Sequence, residues 1–163
     1  GKKVWSGNQA IDWGKPVTIP ASEFKNFTTQ ATIVIYYDQD ALSDYEDIQP
    51  CNSKWERLPF TVEGMKFSGD FNPRSFYGTS GKSHITPMIF TGTELNSLKS
   101  GGVIIQGHGI TFTKVVLMDT PNAIHLPTVN PDSDNTLYDL RGVKISNPQN
   151  GKVYIVRGKK ILR

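Results

Sequence analysis

The sequence contains a single cysteine and no long apolar run, and both absences limit what the protein can be. Cys51 alone excludes a disulfide framework and any metal site built from several cysteines. No stretch approaches the roughly 20 consecutive apolar residues that a membrane-spanning helix needs. The sequence begins Gly1-Lys2-Lys3 without a signal peptide. We expect that such a signal was removed ahead of this point.

Motifs for catalysis are also lacking. The sequence has three histidines, His84, His108 and His125, and none has the H-E-x-x-H spacing of a zinc site. A G-x-S-x-G nucleophile elbow is absent. Cys51 has no general base close to it in the sequence. These observations predict a protein that is not an enzyme.

One acidic segment supplies several carboxylates directly after a predicted strand: Asp38, Asp40, Asp44, Glu46 and Asp47. Calcium takes several oxygen ligands from loops of this kind. The spaced glycine of an EF-hand loop is missing. Two interpretations therefore stay open, a solvated loop, which is favoured, and a calcium site. No other cofactor is predicted.

The charge distribution argues against a nucleic-acid partner. The 163 residues carry a formal net charge of +3. Much of the basic charge stands near the end of the chain, in Arg141, Lys144, Lys152, Arg157, Lys159, Lys160 and Arg163. A stripe of positive charge that follows a phosphate backbone would be spread more evenly, so solvated strand faces are the favoured interpretation.

The apolar pattern predicts an all-β antiparallel sandwich. The 15 glycines and 10 prolines suit short strands joined by many turns. Residues 31–37 are typical of a buried strand, and residues 54–60 alternate so that Trp55 and Arg57 share one face. Pro87 places the strand over 83–90 at an edge or a bulge. Two further strands are predicted over 102–107 and 110–118, on either side of a Gly-His-Gly turn.

Two short helices are predicted between the strands. Residues 19–24 favour a single turn with Pro20 near its start. Thr91-Gly-Thr-Glu94 matches a capping box, and Gly101 stands where that helix would end. Helices of this size can close one end of a sandwich but cannot form a domain of their own.

The remainder divides into a linker and a tail. Residues 120–136 contain three prolines and little periodicity, which is typical of a linker. Residues 137–163 predict a small unit of three strands that includes a β-hairpin. The expected domains are therefore a jelly-roll sandwich over 1–119, a linker over 120–136 and a C-terminal β tail over 137–163.

Two parts of residues 1–119 resemble a known class of module. The first comprises Lys3-Val-Trp-Ser-Gly7, Asp12-Trp-Gly and Val17–Phe24, and the second runs from Thr93 to Leu117 with the pattern GGxIIQGxGxTxTKVxL. They resemble non-catalytic jelly-roll modules of the galactose-binding-domain type, found in secreted and surface proteins of anaerobic gut bacteria. The resemblance implies carbohydrate binding, often beside an appended polysaccharide-degrading enzyme. Residues 61–86 depart from the pattern.

The tail is similar to a second family. Its LYDLRGVKI and VYIVRGKKILR segments resemble short C-terminal sorting segments of secreted proteins from the same bacteria. This resemblance implies export, to the periplasm, the cell surface or the medium, and a surface-protein partner.

Sugar-binding sandwiches stack aromatic rings on sugar faces, so exposed aromatics are the candidate site residues. Trp13 stands in a polar turn, Trp55 and Arg57 could form a stacking platform, and Tyr77 could line a loop site. The leading interpretation is a non-catalytic polysaccharide-binding module. The alternative is a structural or adhesion module that binds no sugar, because sandwich folds serve both roles.

Overall fold

The structure, a computed structural model, describes residues 1–78, 81–119, 137–138, 140, 144–146, 149–151, 153–156 and 159–162. It divides the chain into two compact units, Gly1–Ala123 and Ile124–Arg163. The linker predicted over 120–136 lies outside the described residues. None of the helices in the described part of the chain has the length and apolarity that crossing a bilayer requires.

The first unit consists of nine strands, two α-helices and one 3-10 helix within the described residues. The strands are β1 Lys2–Ile11, β2 Val17–Ile19, β3 Gln30–Gln39, β4 Asp47–Cys51, β5 Phe60–Val62, β6 Met65–Phe67, β7 Ser83–Thr91, β8 Val103–His108 and β9 Ile110–Met118. The helices are the 3-10 turn Ala21–Phe24, α1 Pro73–Tyr77 and α2 Gly92–Gly101.

These strands form two antiparallel sheets, as the sequence predicted for a β-sandwich. The larger sheet has the order β1-β9-β3-β7-β5-β6 and the smaller one the order β2-β8-β4. One apolar core joins them, with Ile33 and Phe112 from the larger sheet and Ile48 and Ile105 from the smaller. In β8, buried and half-buried residues alternate, as expected for a strand with one face on the core.

β8 and β9 follow each other in the chain but belong to different sheets. β8 pairs with β2 and β4, whereas β9 pairs with β1 and β3. The chain changes sheet at Gly109, where φ is 72°. This crossing places the Gly-His-Gly turn at one end of the sandwich, beside the segment that leads from β3 to β4.

Several local predictions are confirmed and one is wrong. Helix α2 begins after Thr91, although the Thr91 side chain makes no capping hydrogen bond. β5 pairs with β7 at Thr61 opposite Ile89, which leaves Pro87 at an edge. The strand predicted over 54–60 is not formed, because Trp55 lies in a tight turn with φ 63°.

The second unit contains four short strands among its described residues, not the predicted three. They are β10 Leu137–Tyr138, β11 Lys144–Ile145, β12 Val153–Val156 and β13 Lys159–Leu162. Their antiparallel order is β11-β10-β12-β13. The segment 137–145 supplies β10 and β11, and the segment 153–162 supplies β12 and β13.

Candidate functional site

Three aromatic side chains meet at the end of the sandwich where β8 passes into β9. The Trp13 indole Nε1 donates to the Tyr45 hydroxyl at 3.2 Å. The Tyr45 ring stacks on the His108 ring, with centroids 4.1 Å apart and planes 17° apart. Trp13 remains 38% exposed and Tyr45 41% exposed. We call Trp13, Tyr45 and His108 the end cluster.

The glycines on either side of His108 explain why its side chain reaches this position. A Cβ on Gly109 would lie 2.3 Å from the Tyr45 carbonyl oxygen, and one on Gly107 would lie 2.0 Å from the Asp47 carbonyl oxygen. Only glycine allows the segment before β4 to approach the end of β8 this closely. Because that segment carries Tyr45, its close approach brings the tyrosine ring onto His108.

A buried ion pair holds the loop that carries Tyr45. The Glu46 side chain is fully buried, and its Oε1 accepts from Arg74 Nη2 at 3.0 Å. Gln39 Nε2 donates to Glu46 Oε2 at 2.9 Å. The Arg74 guanidinium also donates to the Ser43 carbonyl oxygen at 2.9 Å. Helix α1 therefore anchors both the side chains and the backbone of the 40–46 loop.

A cavity of about 240 Å³ adjoins the end cluster. Asp12 and Lys15 line one side from the β1–β2 turn, and Asp40 and Ser43 line another from the 40–46 loop. His108 belongs to both the cavity wall and the end cluster. The cavity thus combines carboxylate, ammonium and hydroxyl groups with the His108 ring, on which Tyr45 stacks. Polar groups beside aromatic rings suit a polar ligand with a flat apolar face.

Backbone and side-chain hydrogen bonds fix the β1–β2 turn. The Lys15 backbone N–H donates to the Asp12 carbonyl oxygen at 3.0 Å. Gln9 Nε2 donates to the Lys15 carbonyl oxygen at 3.1 Å, and the Trp13 backbone N–H donates to Asp12 Oδ1 at 2.8 Å. Trp13 is therefore presented by an ordered turn.

The acidic segment does not converge on a common point. Among the described residues, no group of three His, Cys, Asp or Glu side chains could hold a metal ion. The carboxylates have separate partners: Asp38 accepts from Ser83, Asp40 from Leu42 N, Asp44 from Tyr45 N, Glu46 from Arg74 and Asp47 from Gln49. The calcium site stays a prediction that this geometry does not strengthen.

Cys51 offers no sign of a nucleophile. Its side chain is fully buried. Burial raises the pKa of the Cys51 thiol, so the thiolate that would attack a substrate is disfavoured at neutral pH.

Trp55 and Arg57, two of the predicted site residues, lie away from the end cluster. β4 pairs with β8 so that Asp47 faces His108 and Cys51 faces Ile104. The four steps from Asp47 to Cys51 span roughly 13 Å along the strand, and Trp55 follows beyond Cys51. The structure therefore places Trp13 and Trp55 at opposite ends of the smaller sheet.

The Trp55 turn is itself highly ordered. Asn52 Oδ1 accepts from the backbone N–H groups of Lys54 and Glu56, and Trp55 N donates to the Asn52 carbonyl oxygen. Trp55 is 52% exposed. Arg57 Nη1 lies 3.5 Å from Asp70 Oδ1. The two side chains do not share a strand face as predicted, because the left-handed backbone at Trp55 breaks the alternation.

Tyr77 lies on the same end of the sandwich as Trp13 but is half-buried. Its ring stacks on His84 with centroids 4.7 Å apart and packs edge-on against Phe71 and Phe76. Its hydroxyl lies 3.1 Å from Thr86 Oγ1. Burial raises the pKa of Tyr77. Most of its ring surface is used in packing within the protein.

The sequence interpretation missed Tyr45 and His108. Each was assigned only to a segment, Tyr45 to the acidic loop and His108 to the glycine turn. The sequence signal is the glycine on each side of His108. Such glycines indicate that another backbone segment approaches closely at this point, but they do not identify which segment it is.

Comparisons with known proteins agree with the fold. No protein-family model matches the chain, and no curated protein matches it in sequence. One similar solved structure is SGBP-B of the mixed-linkage glucan utilization locus of Bacteroides ovatus, in complex with a mixed-linkage heptasaccharide. The two share 22% identity with a TM-score of 0.51 over 71% of this chain. The match spans 29% of the SGBP-B chain, so the matched part of this chain corresponds to less than a third of that protein.

Proposed function

We propose that this chain is a non-catalytic carbohydrate-binding module and that the end cluster with its cavity is the principal binding site. The observation that carries the proposal is the exposed Trp13–Tyr45 pair, which is joined to a polar cavity through His108, the residue on which Tyr45 stacks. Tryptophan and tyrosine rings stack on the apolar faces of sugars, while the surrounding polar groups bind hydroxyls. Trp13 belongs to the predicted site, and Tyr45 and His108 extend it.

Two further observations support a glycan ligand. The fold is similar to that of a protein solved with a bound heptasaccharide. The sequence signatures of residues 3–24 and 93–117 resemble non-catalytic modules from secreted proteins. On this basis we propose that the protein acts at the cell surface, in the periplasm or in the medium. We further propose that it works beside a glycoside hydrolase or within a larger surface protein.

Trp55 and Arg57 form a second candidate contact in the same function. A tryptophan held half-exposed in a left-handed turn is unusual, because bulky residues rarely adopt positive φ. Two weak contacts at opposite ends of a module would raise retention on a polymer through multivalency.

The test is retention on insoluble polysaccharides and on a glycan array, with and without calcium. The protein is compared with Trp13→Ala and Trp55→Ala. Met65→Ala serves as the matched control, since Met65 is also a large, exposed apolar residue. All variants must keep the circular-dichroism spectrum of the parent protein.

Loss of binding by about tenfold or more in Trp13→Ala, with Met65→Ala unchanged, is the expected result. A loss confined to Trp55→Ala would move the principal site to the opposite end of the smaller sheet. No retention of the parent protein on any glycan would contradict the proposal and favour the structural or adhesion module.

A further inference from the structure

The charges around the cavity restrict which sugars can enter it. Asp12 and Asp40 line the cavity, and Lys15 is the lysine of the lining set. Two carboxylates against one ammonium leave the lining with an excess of negative charge. Asp44, which is outside the lining, lies with its Oδ1 3.5 Å from His108 Nε2.

The arginine closest to this loop does not offset that excess. The Arg74 guanidinium is paired with the buried carboxylate of Glu46 and also donates to the Ser43 carbonyl oxygen. Its charge is therefore matched by Glu46, and its N–H groups face the loop backbone. A ligand carboxylate or sulfate at the cavity would meet like charges, which disfavours such ligands strongly at close range.

The size of the cavity restricts the length of glycan that it can enclose. Its volume of about 240 Å³ is below the roughly 300–1,000 Å³ that encloses a drug-sized ligand. The β1–β2 turn lines one side and the 40–46 loop another, and the cavity is open to solvent elsewhere. Such a space suits one ring of a glycan, whereas several consecutive rings would need a longer groove.

From these observations we infer that the cavity takes a single uncharged sugar ring at the end of a glycan chain and rejects uronic-acid and sulfated glycans. This inference rests on the proposed carbohydrate-binding function. Trp13, which follows the lining residue Asp12, and Tyr45, which stacks on the lining residue His108, supply the apolar surface beside the cavity. The carboxylates of Asp12 and Asp40 accept hydrogen bonds from its hydroxyls, and Lys15 donates one.

Charge selectivity is tested with pairs of polymers that differ in charge and share the galacto or manno configuration of the ring: galactan with polygalacturonan, and mannan with polymannuronate. Only the second pair also shares the β linkage. The full chain is run in affinity gel electrophoresis with each polymer, alongside a glycan array that includes sulfated sugars. We expect retardation by a neutral polymer or binding to a neutral array sugar, loss of either in Trp13→Ala, and neither with the acidic polymers and sulfated sugars. Retardation by a uronate polymer that Trp13→Ala abolishes would overturn the inference and leave the proposed function intact. No binding to any probe would overturn both.

Removal of the carboxylate charges gives a second readout. Asp12→Asn and Asp40→Asn keep a side-chain oxygen for the Trp13 and Leu42 backbone N–H groups. We expect the double variant to bind the uronate polymer measurably where the parent protein does not. If the double variant still fails to bind it while remaining folded, charge is not what excludes acidic glycans.

Chain length tests the single-ring site. The sugar identified as the ligand is prepared as oligosaccharides of two to seven rings, and each is titrated calorimetrically. We expect dissociation constants within about threefold of one another, because the added rings extend into solvent. A stepwise gain of tenfold or more over that series would show a groove with several subsites and overturn the inference.

Discussion

The Trp13 indole N–H donates to the Tyr45 hydroxyl at 3.2 Å, and this contact joins the β1–β2 turn to the 40–46 loop. Tyr45 is also held by its stacking on His108. Both the Trp13 ring and the Tyr45 ring nevertheless remain accessible to solvent. An aromatic pair ordered before binding loses little side-chain entropy when a ligand arrives. Under the proposed function, this bond would hold Trp13 in position to stack on a sugar.

Tyr45→Phe tests this preparation. The variant keeps the ring and its stacking on His108 but removes the acceptor for Trp13. A hydrogen bond of this kind contributes about 1 kcal/mol to stability, so we expect the free energy of unfolding to fall by up to about 1 kcal/mol. Because Trp13 is then less well ordered before binding, we also expect glycan binding to weaken by up to about fivefold. Calorimetric titration on the glycan identified by the array measures the loss. Tyr36→Phe is the control, since Tyr36 lies in the middle of β3 with its ring under the Lys114 ammonium. An equal loss in both variants would contradict the role of the Trp13–Tyr45 bond.

Gly109→Ala tests the close approach that forms the site. Gly109 has φ 72°, and an added Cβ would lie 2.3 Å from the Tyr45 carbonyl oxygen. The left-handed backbone and the clash each oppose alanine, so we expect a loss of about 2–3 kcal/mol in the free energy of unfolding. Urea denaturation measures this loss. Gly14→Ala is the matched control, because its Cβ would meet nothing within 4 Å. A change below 1 kcal/mol in Gly109→Ala would show that the loop shifts without cost.

The sandwich could be predicted from the sequence, whereas most of the site could not. The β-branched run before Asp38 and the run after Gly109 each have a periodicity that identifies a strand locally. The end cluster instead depends on residues 13, 45 and 108 coming together. That meeting is set by the change of sheet at Gly109, which no local pattern specifies. The prediction that Trp55 and Arg57 share one strand face was wrong for a different reason. The alternation of residues in the sequence does not reveal that Trp55 lies in a left-handed turn.

Arg74→Ala tests the anchoring of the Tyr45 loop. Removing the guanidinium leaves the Glu46 carboxylate buried with Gln39 as its remaining side-chain partner. Breaking one partner from a buried pair costs about 3 kcal/mol. We expect a loss of that order in urea denaturation, together with weaker glycan binding.

Asp70→Ala is the control for Arg74→Ala. Asp70 lies 3.5 Å from Arg57, and both side chains are more than half exposed. Exposed pairs contribute about 0–1 kcal/mol, so this variant should be near neutral. Equal losses in the two variants would contradict a special role for the buried pair.

Asp47→Asn is expected to stabilise the protein at neutral pH and to have a smaller effect in acid. Burial raises the pKa of the Asp47 carboxyl, and the nearby charge of Asp70 raises it further. A raised pKa means that the folded state holds this proton more tightly than the unfolded state, whose value is about 3.9. Stability from this group is therefore present below about pH 3.9 and is lost as the pH rises through the folded-state pKa. Asparagine keeps a polar side chain without the buried charge.

The free energy of unfolding at pH 3, 5 and 7 measures the difference, with Asp119→Asn as a control for removing an exposed charge. A variant that is destabilised equally at all three pH values would show that the Gln49–Asp47 hydrogen bond outweighs the cost of burying the charge.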